Sequence, residues 1–435
     1  MQKSAILLLS SFIAVPALAG NGGSFLGSNA TTGNVANNHS IFVGAKNPAH
    51  IGLAIREQEN VRFNFLPALS VYTEVGAVDN FVDDLDELID ILDDPSTTDD
   101  SVDEVLDRFN GLLVTMGEEG YLTTKVGLSA PLFPFYFRSR PLDMVFSAEL
   151  SFNGSVGMRV LDDTLRFDDQ NNKFSTNTSA YVKSGLETKL AFGGSRAFYN
   201  LLDGMGVYAG AKLNIIQMEL SKQVIALQQM NGESIEDVVE DAYDENLKSS
   251  TNMSLDLGVS LVAESFRLGA TLSDINEPSF DYGAVGVNCS DYEESSISRS
   301  NCDTATYFVQ EVGEIVSQET YTRHALLTLD GMYRLGNSLF LSGELETATY
   351  DDVIGRENQW YSVALAYESG RYLVPSVRVG YRENLAGSKL SLANLGFTFA
   401  GVLTLDLNYG LESTDVDGDS VPRAAGISLS VQEKF

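Results

Sequence analysis

Residues 401–411 read GVLTLDLNYGL, and their alternation decides the fold. Leu403, Leu405, Leu407, Tyr409 and Leu411 fall on one face, and Thr404, Asp406, Asn408 and Gly410 on the other, the period-two pattern of a strand. After a polar loop the pattern returns with Ile427, Leu429, Val431 and the terminal Phe435 against Ser428, Ser430, Gln432 and Lys434. The polar face carries charge, in Asp406 and Lys434. That suits a hairpin whose apolar side meets lipid and whose polar side meets the watery inside of a barrel. The competing reading is the edge of a soluble β-sandwich.

Working outward, the same alternation recurs along the chain. Met253, Leu255, Leu257, Val259 and Leu261 oppose Asn252, Ser254, Asp256, Gly258 and Ser260, and Val377, Val379 and Tyr381 oppose Arg378, Gly380 and Arg382. Strands are predicted near 61–76, 120–137, 141–160, 174–193, 205–221, 249–263, 265–275, 319–334, 337–350, 358–369, 372–383, 389–400, 402–412 and 424–435. The fold class is therefore all-β, an antiparallel transmembrane barrel of about fourteen strands. Connections alternate: short ones at 138–140, 264, 335–336, 369–371 and 401, long ones at 77–119, 222–248 and 276–318. Short periplasmic turns opposite long extracellular loops are the asymmetry of outer-membrane barrels. The connection from Gly194 to Gly204 reads longer than that rule prefers. Tyr333, Tyr350, Trp360, Tyr361, Tyr372 and Tyr381 fall near predicted strand ends, where an interfacial girdle would lie.

Residues 1–19 read as a signal peptide, with Lys3, an apolar run from Ala5 to Val15 and a small-x-small site at Ala17-Leu18-Ala19. Residues 20–60 lack strand alternation and form an expected N-terminal plug, and 61–435 form the barrel, expected in the bacterial outer membrane. Only two cysteines exist, Cys289 and Cys302, and in an oxidising compartment their polar loop suggests one disulfide. A net charge of −32 excludes nucleic acid, whose phosphates need a basic surface. Expected partners are outer-membrane lipid and lipopolysaccharide, the barrel assembly machinery and a hydrophobic small molecule, around a monomer.

Two loops carry helical stripes. Phe81, Leu85, Leu88, Ile89 and Leu92, then Leu106, Phe109, Leu112 and Leu113, are spaced for two amphipathic helices in 77–119, with Ser101 and Glu104 as a capping box. A third helix is expected at Ser234 to Tyr243. Such stripes either pack on one another or catch a greasy ligand, with Leu85, Leu88, Leu92, Leu106, Phe109 and Leu113 as the capture face. Lys189, Lys212, Arg378 and Arg382 point inward by register; they either pair with lumen carboxylates or hold a passing carboxylate. Pro131, Pro134 and Gly154 mark a possible gap in the wall, because proline removes a ladder donor and glycine permits a bulge.

The chemistry of an enzyme is missing. There are three histidines, no HExxH, GxSxG, P-loop or CxxC, and no cofactor or metal is expected. His324 falls on the lumen side if the parity of Leu327 and Leu329 is carried back to it. Asp415, Asp417 and Asp419 resemble part of a calcium loop without its bidentate acid, and read as a solvated turn.

A last-residue Phe resembles the C-terminal signature of bacterial outer-membrane barrels. Asn47-Pro48-Ala49 before the first strand, about fourteen strands and helical loops resemble the FadL family of transporters for long-chain fatty acids and hydrocarbons. Closer in layout is the related TraF-like conjugal transfer family, with its acidic helical insertion, here Phe81 to Asp94. The resemblance implies passive entry of a hydrophobic molecule, a plug anchored at Asn47, Pro48 and Ala49, and exit through a side opening. The alternative it leaves is a surface accessory protein that transports nothing.

Overall fold

The computed structural model describes residues 26–33, 40–56, 58–98, 100–202, 205–228, 243, 246–369, 371, 373–416 and 418–431. The leader at 1–19, most of the expected helix at 234–243, Tyr372 and the terminal Phe435 lie outside the described residues. The wall runs β1 (Leu69–Val75), β2 (Tyr121–Ser129), β3 (Met144–Leu161), β4 (Ser179–Leu202), β5 (Met205–Ala226), β6 (Lys248–Val262) and β7 (Phe266–Ser273). It continues through β8 (Leu326–Leu335), β9 (Leu339–Glu346), β10 (Trp360–Tyr367), β11 (Ser376–Asn384), β12 (Ser391–Phe399), β13 (Leu403–Gly410) and β14 (Ala424–Val431). Each strand pairs antiparallel with the next, and β14 returns to β1 with Leu69 opposite Leu429, closing a fourteen-stranded barrel. Closure leaves no bare edge of backbone donors and acceptors, the condition for strands to cross a bilayer. Among the described residues no helix is long and apolar enough to cross one.

The two faces sort as the alternation predicts. Leu403, Leu407 and Tyr409 of β13 are exposed on the outside, whereas Thr404, Asp406 and Asn408 are buried inside. Outward Val363 and Leu365, Leu255 and Leu257, and Ile427 and Leu429 continue the apolar belt around the wall. Trp360 departs from the girdle expectation. Its indole is 4% exposed and turned inward, where Nε1 donates to Asn358 Oδ1 (3.2 Å) and the Arg382 guanidinium lies 5.2 Å from the ring centre.

The expected long connection at 194–204 is wall. β4 and β5 stay paired from Ser179↔Ala226 down to Leu202↔Met205, so Gly193 and Gly194 sit in the ladder and do not break it. These two strands, of 24 and 22 residues, and the 18-residue β3 beside them stand taller than the eight- or nine-residue strands β9 to β14 across the barrel. Above the tall side rises a helical hairpin, α1 (Phe81–Asp93) and α2 (Val102–Glu119). Ser101 and Glu104 close the capping box: the Ser101 amide donates to Glu104 Oε2 (2.9 Å), and Ser101 Oγ accepts from the Glu104 amide (3.4 Å). A third helix, α3 (Ile297–Tyr307), lies in the loop between β7 and β8 and carries Cys302, bonded to Cys289.

Candidate functional site

The N-terminal segment lies inside the barrel. Thr31 donates its hydroxyl to Asp406, which also pairs with Arg378 (2.9 Å). The Gly27 amide donates to Ser428 Oγ (2.9 Å). Asn47 caps the short 3-10 turn Pro48–Leu53 by accepting from the Ala49 amide (2.9 Å), and its Nδ2 donates to Asp330 Oδ2 (3.2 Å). Pro48 at the first position of that turn already lacks the amide proton that would otherwise go unused. Ser195 Oγ donates to the Ala49 carbonyl (2.8 Å). The turn sits so close to the wall that a Cβ at Gly210 would be 2.3 Å from the Pro48 oxygen, and one at Gly258 would be 2.1 Å from Asn47 Oδ1. These two glycines are the seat of the Asn-Pro-Ala motif.

The inward cations divide. Arg378 is fully engaged: Nη1 donates to Thr398 Oγ1 (2.7 Å) besides the Asp406 pair. Lys212 donates to the Gly44 and Ala45 carbonyls of the plug and lies 3.5 Å from Glu149. Arg382 stacks over Trp360. Lys189 faces inward by register opposite Ile216, half-buried, with no hydrogen bond or ion pair among the described residues. A further plug cation, Lys46, pairs with Glu344 (2.8 Å) and Glu346 (3.1 Å), so carboxylates of β9 hold the plug as well.

The wall is interrupted near its lower end. β2 stops at Ser129, the Ala130 amide still donates to the Leu150 carbonyl (3.0 Å), residues 131–134 turn out of the ladder, and the strand resumes at Phe135–Ser139 against the base of β3. Its partner is broken at the same level: Val61–Phe63 pairs with Phe135–Phe137, then 64–68 intervene before β1 begins. Pro131 and Pro134 lie in this break, as the missing-donor argument expects. Gly154 does not: it is laddered to Val126 on one side and Leu186 on the other, so the wall is whole there. Outside the break stand exposed Phe65, Leu66, Leu132 and Phe135. Behind it, Leu26, Ile41, Phe42, Ile51 and Ile55 of the plug cluster with Ala68, Tyr136 and Val145 of the wall, and the Tyr136 hydroxyl donates to the Ile41 carbonyl (2.8 Å). The Asn64 amide is fully buried at this level with no hydrogen-bond partner on either side-chain atom.

The mouth is covered. Leu85, Leu88, Leu92, Phe109 and Leu113 are each at most 5% exposed, packed with Leu122, Val156, Met158 and Val160 of the rim, and Leu106 is partly buried against the same cluster. They do not form an open capture face, because the two stripes of a helical hairpin bury each other and the tall strands beside them. A second layer lies below. Phe280, Tyr282 and Tyr321 from the β7–β8 loop and Val353 and Ile354 from the β9–β10 loop fill the space between Ile216, Met218 and Leu220. Charge pins both loops: Arg323 pairs with Glu187 and with Asp274 (3.1 Å), all at most 5% exposed, and Lys125 pairs with the buried Asp352 (2.8 Å). His324 is exposed beside Glu277 (3.7 Å), outside the lumen, because β8 begins only at Leu326 and parity does not extend into the coil before it.

Between these layers lies a cavity of about 260 Å³. Its walls mix Met158, Ile315 and Ile354 with Arg159, Lys183 and Arg356. Arg159 is paired with Glu314 (2.5 Å) and Lys183 with Glu319 (2.5 Å). Arg356 lies 3.5 Å from the centre of the Tyr121 ring. Sequence reasoning missed this cavity and the Arg323 pairs, since neither Arg323 nor Arg356 lies in a strand whose parity would aim it. Lys183 and Glu187, whose inward register on β4 is legible in the sequence, were the available signals.

Several solved structures resemble this one in outline at low identity. The toluene transporter TbuX of Ralstonia pickettii matches with a TM-score of 0.46 and 10% identity, over 95% of this chain and 99% of that one. The toluene transporter TodX of Pseudomonas putida gives 0.42 and 11%, over 93% and 95%. A Pseudomonas aeruginosa FadL homologue gives 0.39 and 12%, over 95% and 98%. No curated protein matches the sequence. The sequence model of one family, the F plasmid transfer operon TraF protein, matches residues 44–345, from the turn before the plug anchor to β9 and so well over half of the chain. With its plug motif, acidic helical insertion and closed barrel all described above, the chain belongs to that TraF family.

Proposed function

We propose that the protein is an outer-membrane channel through which a hydrophobic or amphipathic compound enters passively and leaves sideways. The observation that carries this reading is the paired break at 64–68 and 131–134, apolar outside and backed inside by the apolar cluster of the plug. A closed barrel with a plain wall has no use for two interrupted strands at one level. Retraction of Leu26, Ile41 and Phe42 would join the lumen to the lipid there. The mouth cavity sets Met158, Ile315 and Ile354 beside Arg356 and the Arg159–Glu314 and Lys183–Glu319 pairs, which suits an amphipathic molecule better than a bare hydrocarbon, whose burial would leave Arg356 without hydration. None of this asks for catalysis.

The second reading is an accessory protein that transports nothing. It is favoured by the covered mouth and by the many bonds that hold the plug. One experiment separates the two: uptake of a labelled long-chain fatty acid and of labelled toluene into proteoliposomes, by the native protein and by a Pro131→Thr, Pro134→Thr variant. Uptake that falls in the variant while the barrel keeps its heat-modifiable mobility supports lateral exit. A native protein that admits neither compound sinks the channel reading.

A further inference from the structure

The loop braced by the disulfide holds a second cavity, apart from the wall break and the charged cavity. It measures about 300 Å³, at the small end of ligand pockets. Its floor is the top of β5, with Gln223 and Val224, and its roof is α3 with the stretch around residues 284–292. The enclosure is fixed: Cys302 is bonded to Cys289, Asn301 Oδ1 accepts from the Ala226 amide (2.9 Å), and Thr306 Oγ1 donates to the Gly286 carbonyl (3.2 Å). A site held in one shape spends little entropy on binding.

The lining is about half apolar, with Val224, Val285, Val287 and Ala305, and half polar, with Asp291 as its one acid among the described residues. Gln223 is 2% exposed; its Nε2 donates to Ser221 Oγ (3.4 Å), and its Oε1 has no partner among the described residues. A buried acceptor without a donor is costly, and an occupant with a hydroxyl would relieve it. Asn246 and Asn301 supply further amides, the Tyr292 ring lies at the edge, and the Asp291 carboxylate is exposed at the rim. Among the described residues no lysine or arginine lines the cavity. That disfavours phosphates and carboxylates, and the amides and backbone groups disfavour a hydrocarbon. We propose that this cavity binds a neutral pyranose unit of a cell-surface glycan, with hydroxyls on Gln223, Asn246 and Asp291 and one sugar face on Tyr292. The inference does not depend on the channel reading.

The test uses the full protein purified in mild detergent, with saturation-transfer NMR and calorimetry. The probes are glucose, galactose, N-acetylglucosamine, the core oligosaccharide of lipopolysaccharide, and putrescine as a cationic control. At least one sugar should bind, and Gln223→Leu should weaken it about tenfold, the loss of one hydrogen bond to a buried group. Tyr292→Ala, at a half-buried edge position, should weaken it too and guards against misfolding of the first variant. Binding confined to the core oligosaccharide names the protein's own outer leaflet as the source. Binding of free monosaccharides as well names glycans from outside. The proposal is overturned if no sugar binds, if putrescine alone binds, or if both variants bind as tightly as the native protein.

Discussion

Arg323→Met should release the β7–β8 loop from the barrel mouth without unfolding the barrel. Arg323 reaches from the coil before β8 to two carboxylates, Glu187 on β4 and Asp274 at the end of β7, and all three are at most 5% exposed. Methionine fills much of the space but removes the positive charge that Arg323 sets against both carboxylates. Breaking one side of a buried pair costs about 3–5 kcal/mol. At about 1.4 kcal/mol per tenfold, that raises the frequency of loop opening roughly 10²- to 10³-fold. Hydrogen exchange of peptides from 279–322 would read this, since the short ladder from Ser279↔Thr322 to Asp281↔Thr320 lies next to Arg323 in the same loop. Strands β9 to β13 should exchange as before. A triple variant that also carries Glu187→Gln and Asp274→Asn should recover most of the protection. If Arg323→Met accelerates exchange less than about threefold, water already screens the three charges and the account of the mouth as a dry, pinned layer is wrong.

Three other outcomes are expected. Phe109→Ala should cost the helical hairpin about 3–5 kcal/mol, because the ring is 1% exposed between two helices and the rim, and limited proteolysis of α1 and α2 would show it while the barrel resists. Gly210→Val should unseat the plug, since its Cβ would meet the Pro48 oxygen at 2.3 Å and backbone cannot yield cheaply; thiol labelling of an added Ala49→Cys from the periplasmic side should rise. Acid should loosen the cap. Hydrogen bonds from the Ser101 hydroxyl and amide hold Glu104 below the ordinary glutamate value, and the Asp415 amide and Thr414 hydroxyl do the same for Asp79. A depressed carboxyl lends stability above its unfolded value and loses it as pH falls through the folded one. Exchange should therefore quicken below about pH 4.5 at the start of α2 and below about pH 3.8 at the Asp79 contact, and a flat profile down to pH 3 at the start of α2 would refute the assignment.

Much of the barrel was legible because a strand's parity is local. Leu403 and Asp406 declare their sides from their neighbours alone, and closed pairing then follows from the need to bury every backbone group. The stripe of α2 was legible as a stripe for the same reason. What covers it was not: Phe109 meets Leu122 and Val156 only once the chain is folded, so burial and capture gave the same pattern in sequence. Gly194 misled because glycine reads as a breaker, whereas here it is laddered to Phe146 on one side and Ala211 on the other. Arg323 and His324 lie where no ladder sets parity, and Lys46 finds Glu344 nearly three hundred residues away.

The seat of the plug also orders assembly. Gly27 bonds to Ser428 across 401 residues of chain, and Thr31 to Asp406 across 375. Neither of these two contacts can form while β13 and β14 are unmade, although Lys46, Asn47 and Ala49 are held by β4, β8 and β9, and the same last strand that receives Gly27 also closes the wall against Leu69. The end of the plug at Gly27 and Thr31 is therefore seated late, and the large loop-closure entropy is met once, by the ladder, before these few bonds are asked to hold. An incomplete barrel would keep Gly27 and Thr31 off their wall partners, so the bonded end of the plug is a mark of finished closure.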